Sequence, residues 1–144
     1  MGLGVFLMKQ PGECFNACSW ALSNGYRHID TAALYENERE VGEAVRNCEI
    51  TREEIFVTTK LRRSDALGYD ATIEAFGKSM ERLDIGYVDL YLVHAPPENK
   101  NHREGVRRAM EDLLESGRTR AIGVSNYGGH HIQELIENAR YGPS

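Results

Sequence analysis

Short runs rich in β-branched residues alternate along this chain with longer stretches of helical period, and that alternation constrains the fold more than any other feature. The runs are LGVF (3–6), YRHID (26–30), IFVTTK (55–60), DLYLVH (89–94) and TRAIGV (119–124). Between them, TIEAFGKSMERL (72–83) spaces Ile73, Phe76, Met80 and Leu83 by three and four residues. EGVRRAMEDLLESG (104–117) does the same with Val106, Met110, Leu113 and Leu114, and HHIQELIENA (130–139) with Ile132, Leu135, Ile136 and Ala139. Each such helix has one apolar stripe and so one buried face. Strands that alternate with helices in this way pair in parallel. Gly117 stands where a helix C-terminal stop is needed. TREE (51–54) is a Thr-x-x-Glu capping box with Glu54 as the reciprocal acid, which predicts a short helical turn before the third strand.

Five β/α units of roughly 30 residues can belong to a doubly wound sheet or to a (β/α)8 barrel. A dinucleotide-binding doubly wound sheet carries G-x-G-x-x-G after its first strand; here the turn reads LMKQPGEC, which favours the barrel. The expected fold class is therefore α/β, of (β/α)8 TIM-barrel type and incomplete, with residues 1–144 as a single domain. A closed barrel takes about 250 residues. About five units are expected here, which leaves the first and fifth strands as open edges and makes self-association through them an expected property.

Composition narrows the partners. With 41% hydrophobic residues and a net charge of −5 whose acids and bases are interspersed, the chain has no basic run for nucleic acid or anionic lipid, and a small-molecule partner fits better. MGLGVFLMKQPGE lacks the basic n-region of a secretory signal, and no window reaches the roughly 20 apolar residues of a membrane span, so a cytoplasmic location is expected. Gly2 does not make a myristoylation site, because Phe6 stands where Ser or Thr is required. The cysteines, Cys14, Cys18 and Cys48, form no disulfide framework. Cys14 and Cys18, four apart on a helix, read as core packing, with metal binding the remote alternative.

Polar residues gather at one end of the strands. Asp30 ends the second, Lys60 the third and His94 the fourth, Ser125 and Asn126 follow the fifth, and Tyr35 lies on the loop after Asp30. In a β/α barrel these C-terminal ends form the active-site mouth, so residues distant in sequence meet there. The strand period puts His28 and Tyr26 on the inward face with Asp30, Thr58 with Lys60, and Leu90 and Leu92 with His94. A phenol is a poor proton donor near neutral pH unless a nearby cation favours its phenolate, and a lysine held by an aspartate supplies that cation. Tyr35 then reads as a general acid/base beside a Lys60–Asp30 pair, with His94 orienting a substrate oxygen. The group holds neither a nucleophile for acyl transfer nor a metal-ligand cluster, so the electrons are expected as hydride from a nicotinamide cofactor.

The four stretches GYRHIDTAALYENEREVG, VTTKL, LYLVHAP and AIGVSN, in this order and spacing, closely resemble the aldo-keto reductase family over essentially the whole chain. The resemblance implies reduction of an aldehyde or ketone by NADPH, with Asp30, Tyr35, Lys60 and His94 as the catalytic set. It implies cofactor contacts at Ser125, Asn126 and Asp30, and a substrate pocket of Val5, Phe6, Tyr35, His94 and Ala95. Phe6 and Ala95 depart from residues many members carry, Trp in each case, and bear on substrate choice. The resemblance places a sixth strand from RYGPS onward and most of the cofactor cradle beyond it. The alternative reading is a catalytically incompetent relative that persists as a fragment, decoy or interaction protein. Taken singly, His28 reads as a satisfied core residue, and His102, His130 and His131 as solvated positions. In YENEREVGEAV, Glu36, Glu38 and Arg39 read as a helix face in water.

Overall fold

The computed structural model describes residues 1–140; the start of a sixth strand expected at RYGPS falls mainly on residues 141–144, outside the described residues. Five strands, β1 (Gly2–Gly4), β2 (His28–Asp30), β3 (Phe56–Leu61), β4 (Val88–Val93) and β5 (Thr119–Val124), form one sheet. They lie in sequence order, each parallel to the next. The helices between and after them are α1 (Glu13–Ser23), α2 (Glu38–Asn47), α3 (Tyr69–Leu83), α4 (Lys100–Glu115) and α5 (Gly129–Asn138). The order never reverses, so the sheet has no doubly wound switch point and winds as a barrel does.

One face of this sheet is packed. Ile29, Val57, Leu61, Tyr91 and Val93 are buried, with Phe76 of α3 set edge-on against Tyr91 at 4.9 Å between centroids. Cys14 and Cys18 are fully buried in the same core, as their spacing predicts. The other face carries Gly4, Asp30, Thr58, Leu90 and Ala121 in one register row and Lys60, Leu92 and Gly123 in the next. Phe56 on that face is 41% exposed.

β1 stops two residues short of the expected LGVF. Val5 to Met8 close a turn, Met8 N–H donating to the Val5 carbonyl with Leu7 at φ 67°. β2 begins at His28 because Tyr26 N–H and the Arg27 guanidinium bond back to the carbonyls of Ala21 and Leu22 at the end of α1. β3 and β4 are displaced by one residue, which leaves His94 just beyond its strand. Asn99 extends α4 by four residues, its side-chain oxygen accepting from the amides of Asn101 and His102. Gly117, at φ 70°, stops that helix as expected. The short helical turn expected before β3 is present at Arg52–Glu54, but the capping contact is not: the Thr51 hydroxyl bonds the Glu54 carboxylate at 2.8 Å and caps no amide.

Glu38 is the larger correction. It lies fully buried at the start of α2, accepting from Thr59 Oγ1 at 2.6 Å and from Arg82 Nε at 2.7 Å, and so joins α2, β3 and α3. One turn further along α2 the approach to the end of α3 is so close that Gly42 has no room for a side chain: a Cβ there would sit 1.9 Å from the Leu83 carbonyl oxygen. Alanine in a helix interior ordinarily gains about 1 kcal/mol over glycine. Here backbone meets backbone, so Gly42→Ala is expected to lower stability by about 1–3 kcal/mol, read as a lower urea midpoint. A raised midpoint would contradict the close approach.

Candidate active site

The ends of β2, β3 and β4 bring four of the expected residues together. Lys60 is 6% exposed, and its ammonium donates to Asp30 Oδ1 at 2.5 Å and to the Thr31 carbonyl at 2.9 Å. The same ammonium lies 5.1 Å from the centroid of the Tyr35 ring. The His94 ring meets Tyr35 edge-on at 5.7 Å, and the Phe6 ring packs on Tyr35 at 5.1 Å between centroids. Burying a lysine is costly unless it is paired and hydrogen-bonded, and here both conditions hold.

Tyr35 reaches this position from the last residue of a short 3-10 turn, Ala33–Tyr35, ended by Glu36 in the left-handed region at φ 62°. Arg62, two residues beyond Lys60, donates to the Ala33 carbonyl at 2.9 Å and so ties the turn to the end of β3. His94 follows β4, and its amide donates to the Leu61 carbonyl. Burial, and then the charge of Lys60, hold the His94 pKa below the ordinary imidazole value, partly opposed by Asp30. Its Nδ1 is buried with no hydrogen-bond partner among the described residues.

That lowered pKa has a testable sign. The unfolded chain binds a proton at His94 near pH 6.5 and the folded chain takes it up less readily, so stability falls as pH drops through about 6.5. His131, lowered by its burial and by His130 and Arg103, acts in the same direction. His94→Gln is therefore expected to lose less stability than the parent between about pH 7 and pH 5.5, measured as urea midpoints. Equal slopes for the two proteins would remove His94 from the account.

Other expected residues divide. Ser125 and Asn126 follow β5 directly, and the Asn126 amide donates to the His94 carbonyl at 2.8 Å and to Ser125 Oγ at 3.1 Å. Asn126 adopts φ 58°, a region asparagine tolerates better than most residues. Ala95 is half-buried beside His94. Phe6 lies 60% exposed at the mouth. Val5 is the correction within the pocket set: Gly4 shares the face of Asp30, so Val5 turns to the helix side and is fully buried in the core.

Asn37, Glu38, Arg62 and Thr31 escaped the sequence reading. One signal for Glu38 was present: it stands three residues before Val41 and seven before Val45, on the apolar stripe of α2. Two surface depressions lie elsewhere, one lined by residues of α3 and the segment before it, the other by the α2 end and the α3 end. No helix among the described residues is long and apolar enough to cross a membrane.

The sequence profile described as the Aldo/keto reductase family matches residues 3–144. The chain is 45% identical over 142 residues to the glyoxal reductase of Bacillus subtilis (strain 168), covering 99% of this chain and 50% of that protein. Among solved structures, an aldo/keto reductase from Brucella melitensis superposes with a TM-score of 0.92 at 44% identity, over 99% of this chain and 55% of that one. The Bombyx mori aldo-keto reductase, solved in complex with NADP, superposes with a TM-score of 0.86 at 37% identity, over 99% of this chain and 52% of that one. The chain spans about half the length of the relatives it matches, and across that span its five parallel units are an incomplete (β/α)8 barrel. By its sequence and by its fold, this chain belongs to the aldo/keto reductase family.

Proposed function

We propose that residues 1–144 carry the proton-transfer half of an NADPH-dependent carbonyl reductase, acting on a small aldehyde or ketone. One observation carries this reading: a buried lysine, held by Asp30 and Thr31, sits 5.1 Å from the Tyr35 ring while His94 meets that ring edge-on. When bound, NADPH supplies the hydride that reduces the carbonyl carbon. Tyr35 gives its phenolic proton to the carbonyl oxygen as negative charge grows there, yielding the alcohol. The Lys60 ammonium stabilises the phenolate that remains until water returns the proton, and Asp30 fixes that ammonium in place. His94, kept neutral by burial, can offer a hydrogen bond to the same oxygen and so orient it.

The residues at the β5 end fit the nicotinamide end of such a cofactor. The Ser125 hydroxyl and the Asn126 side-chain oxygen are donor and acceptor groups on the rim beside His94, and the amide group of a nicotinamide can use both. Gly4 and Gly123 project no side chain of their own from this face, and a Cβ at Gly123 would meet Leu92 at 2.8 Å. The resemblance to glyoxal reductase suggests a short dicarbonyl as the first substrate to try.

A second reading, a silent relative that works as a fragment, decoy or interaction protein, draws on the open inner face and the half-length match. Titrating NADPH into the purified chain, with its fluorescence and that of Trp20 followed while glyoxal is offered, separates the two. Saturable binding with turnover is expected under the first reading. A folded chain that neither binds nor turns over supports the second.

A further inference from the structure

Tyr35 lies inside a short segment that closes on itself. Thr31, one residue past β2, donates its hydroxyl to Asn37 Oδ1 at 2.8 Å, across a span of six residues that contains the whole 3-10 turn. Both side chains are buried, Thr31 completely and Asn37 to 5% exposure. Asn37 does more than close this loop. Its amide donates to the Val5 carbonyl at 2.9 Å and to the Met8 carbonyl at 3.4 Å, the two ends of the turn that carries Phe6. Thr31 in turn accepts Lys60 Nζ on its backbone carbonyl at 2.9 Å.

A continuous set of hydrogen bonds therefore runs from Lys60 through Thr31 to Asn37 and on to the β1 turn. Its two outer ends carry two of the residues that touch Tyr35: Lys60, over the ring, and Phe6, packed on it. A buried amide bonded on both its acceptor and donor sides has one orientation, because any rotation strands polar groups away from water. We infer that Asn37 is a positioning residue, which through Thr31 and the Val5 and Met8 carbonyls sets where the Tyr35 ring stands between Lys60, Phe6 and His94. The inference rests on reading Tyr35 as the proton donor, since its value lies in holding that phenol within reach of a substrate oxygen. Displacement of a reacting group by about 1 Å is enough to cost on the order of 100-fold in rate.

The test uses nuclear magnetic resonance on the 144-residue chain and needs no turnover. In the parent, ring-proton contacts are expected between Tyr35 and Phe6, between Tyr35 and His94, and between Phe76 and Tyr91 in the distant core. Asn37→Ala removes the bonds to both turns. Thr31→Val removes only the hydroxyl, keeps the side-chain shape and leaves the carbonyl that holds Lys60, so it serves where Asn37→Ala does not fold. In each folded variant the Tyr35 contacts to Phe6 and His94 are expected to weaken at least twofold or vanish, while the Phe76–Tyr91 contact keeps its intensity. Tyr35 contacts unchanged in Thr31→Val and in any folded Asn37→Ala would overturn the inference, as would a parallel loss at Phe76–Tyr91, which marks a general loosening. A parent that shows the Tyr35 contacts yet fails to reduce glyoxal would sink the catalytic reading and leave the positioning geometry standing.

Discussion

Tyr35→Phe is expected to reduce aldehyde turnover by roughly 10²- to 10⁴-fold, the range for loss of a positioned proton donor, while leaving the fold intact. Phenylalanine keeps the ring, so the contacts with Phe6 and His94 at 5.1 and 5.7 Å survive, as does the position over Lys60. Only the O–H is lost. An unfolding free energy from urea titration within about 0.5 kcal/mol of the parent is expected alongside the rate loss. The pairing of those two results matters, because a variant that lost activity by unfolding would show both falling together. Lys60→Met should lose rate comparably for a different reason: the phenol remains, but the charge that stabilises its conjugate base is gone. If Tyr35→Phe turned over at the parental rate, proton donation would have to come from another group on the rim, and the proposed role would fail.

Glu38→Ala should be strongly damaging although it lies away from the mouth. The carboxylate is fully buried and accepts from Thr59 and Arg82, so its removal leaves a buried hydroxyl and a partly buried guanidinium without their acceptor. Breaking such a pair costs about 3 kcal/mol. Against a net stability on the order of 10 kcal/mol this is a large share, and it corresponds to a fall of roughly 10 °C in melting temperature. Arg82→Ala should cost less, because the Arg82 side chain is 33% exposed and its charge is already partly met by water. Circular dichroism melts of the two variants check the order; a Glu38→Ala melt within about 2 °C of the parent would refute the junction as a source of stability.

These two residues also mark how far the sequence can be read. The five strands and the parallel order were legible because β/α alternation is a pattern of period, and period survives without knowledge of contacts. Lys60, Asp30 and His94 were legible for a related reason: each ends a strand, and strand ends converge in a barrel. The structure places Lys60 and His94 beside Tyr35 and Asp30 on the Lys60 ammonium; their chemistry stays with the proposal. Val5 is one residue out of phase with Gly4 and Asp30 and so faces the core, while the turn that follows β1, closed by the Met8 amide, is not legible in a four-residue run. Glu38 was read as solvated because charge usually outweighs phase in a helix, and its partners Thr59 and Arg82 lie 21 and 44 residues away. Asn37 was missed for the same reason, since its acceptors at Val5 and Met8 are backbone carbonyls and carry no residue-type signal. Side-chain bonds to distant backbone are where periodicity stops informing.

The sequence-ordered sheet has a bearing on how the chain is made. Every strand pairs with the one translated just before it, and α1 meets α2, α2 meets α3 and α3 meets α4. Among the described residues, the main strand–strand and helix–helix contacts join consecutive units. A ribosome adding about 5–20 residues per second releases a unit of roughly 30 residues every few seconds, whereas closing a short loop takes well under a millisecond. Each new strand can therefore cover its predecessor's edge long before the next emerges, so a nascent chain exposes one growing edge at a time.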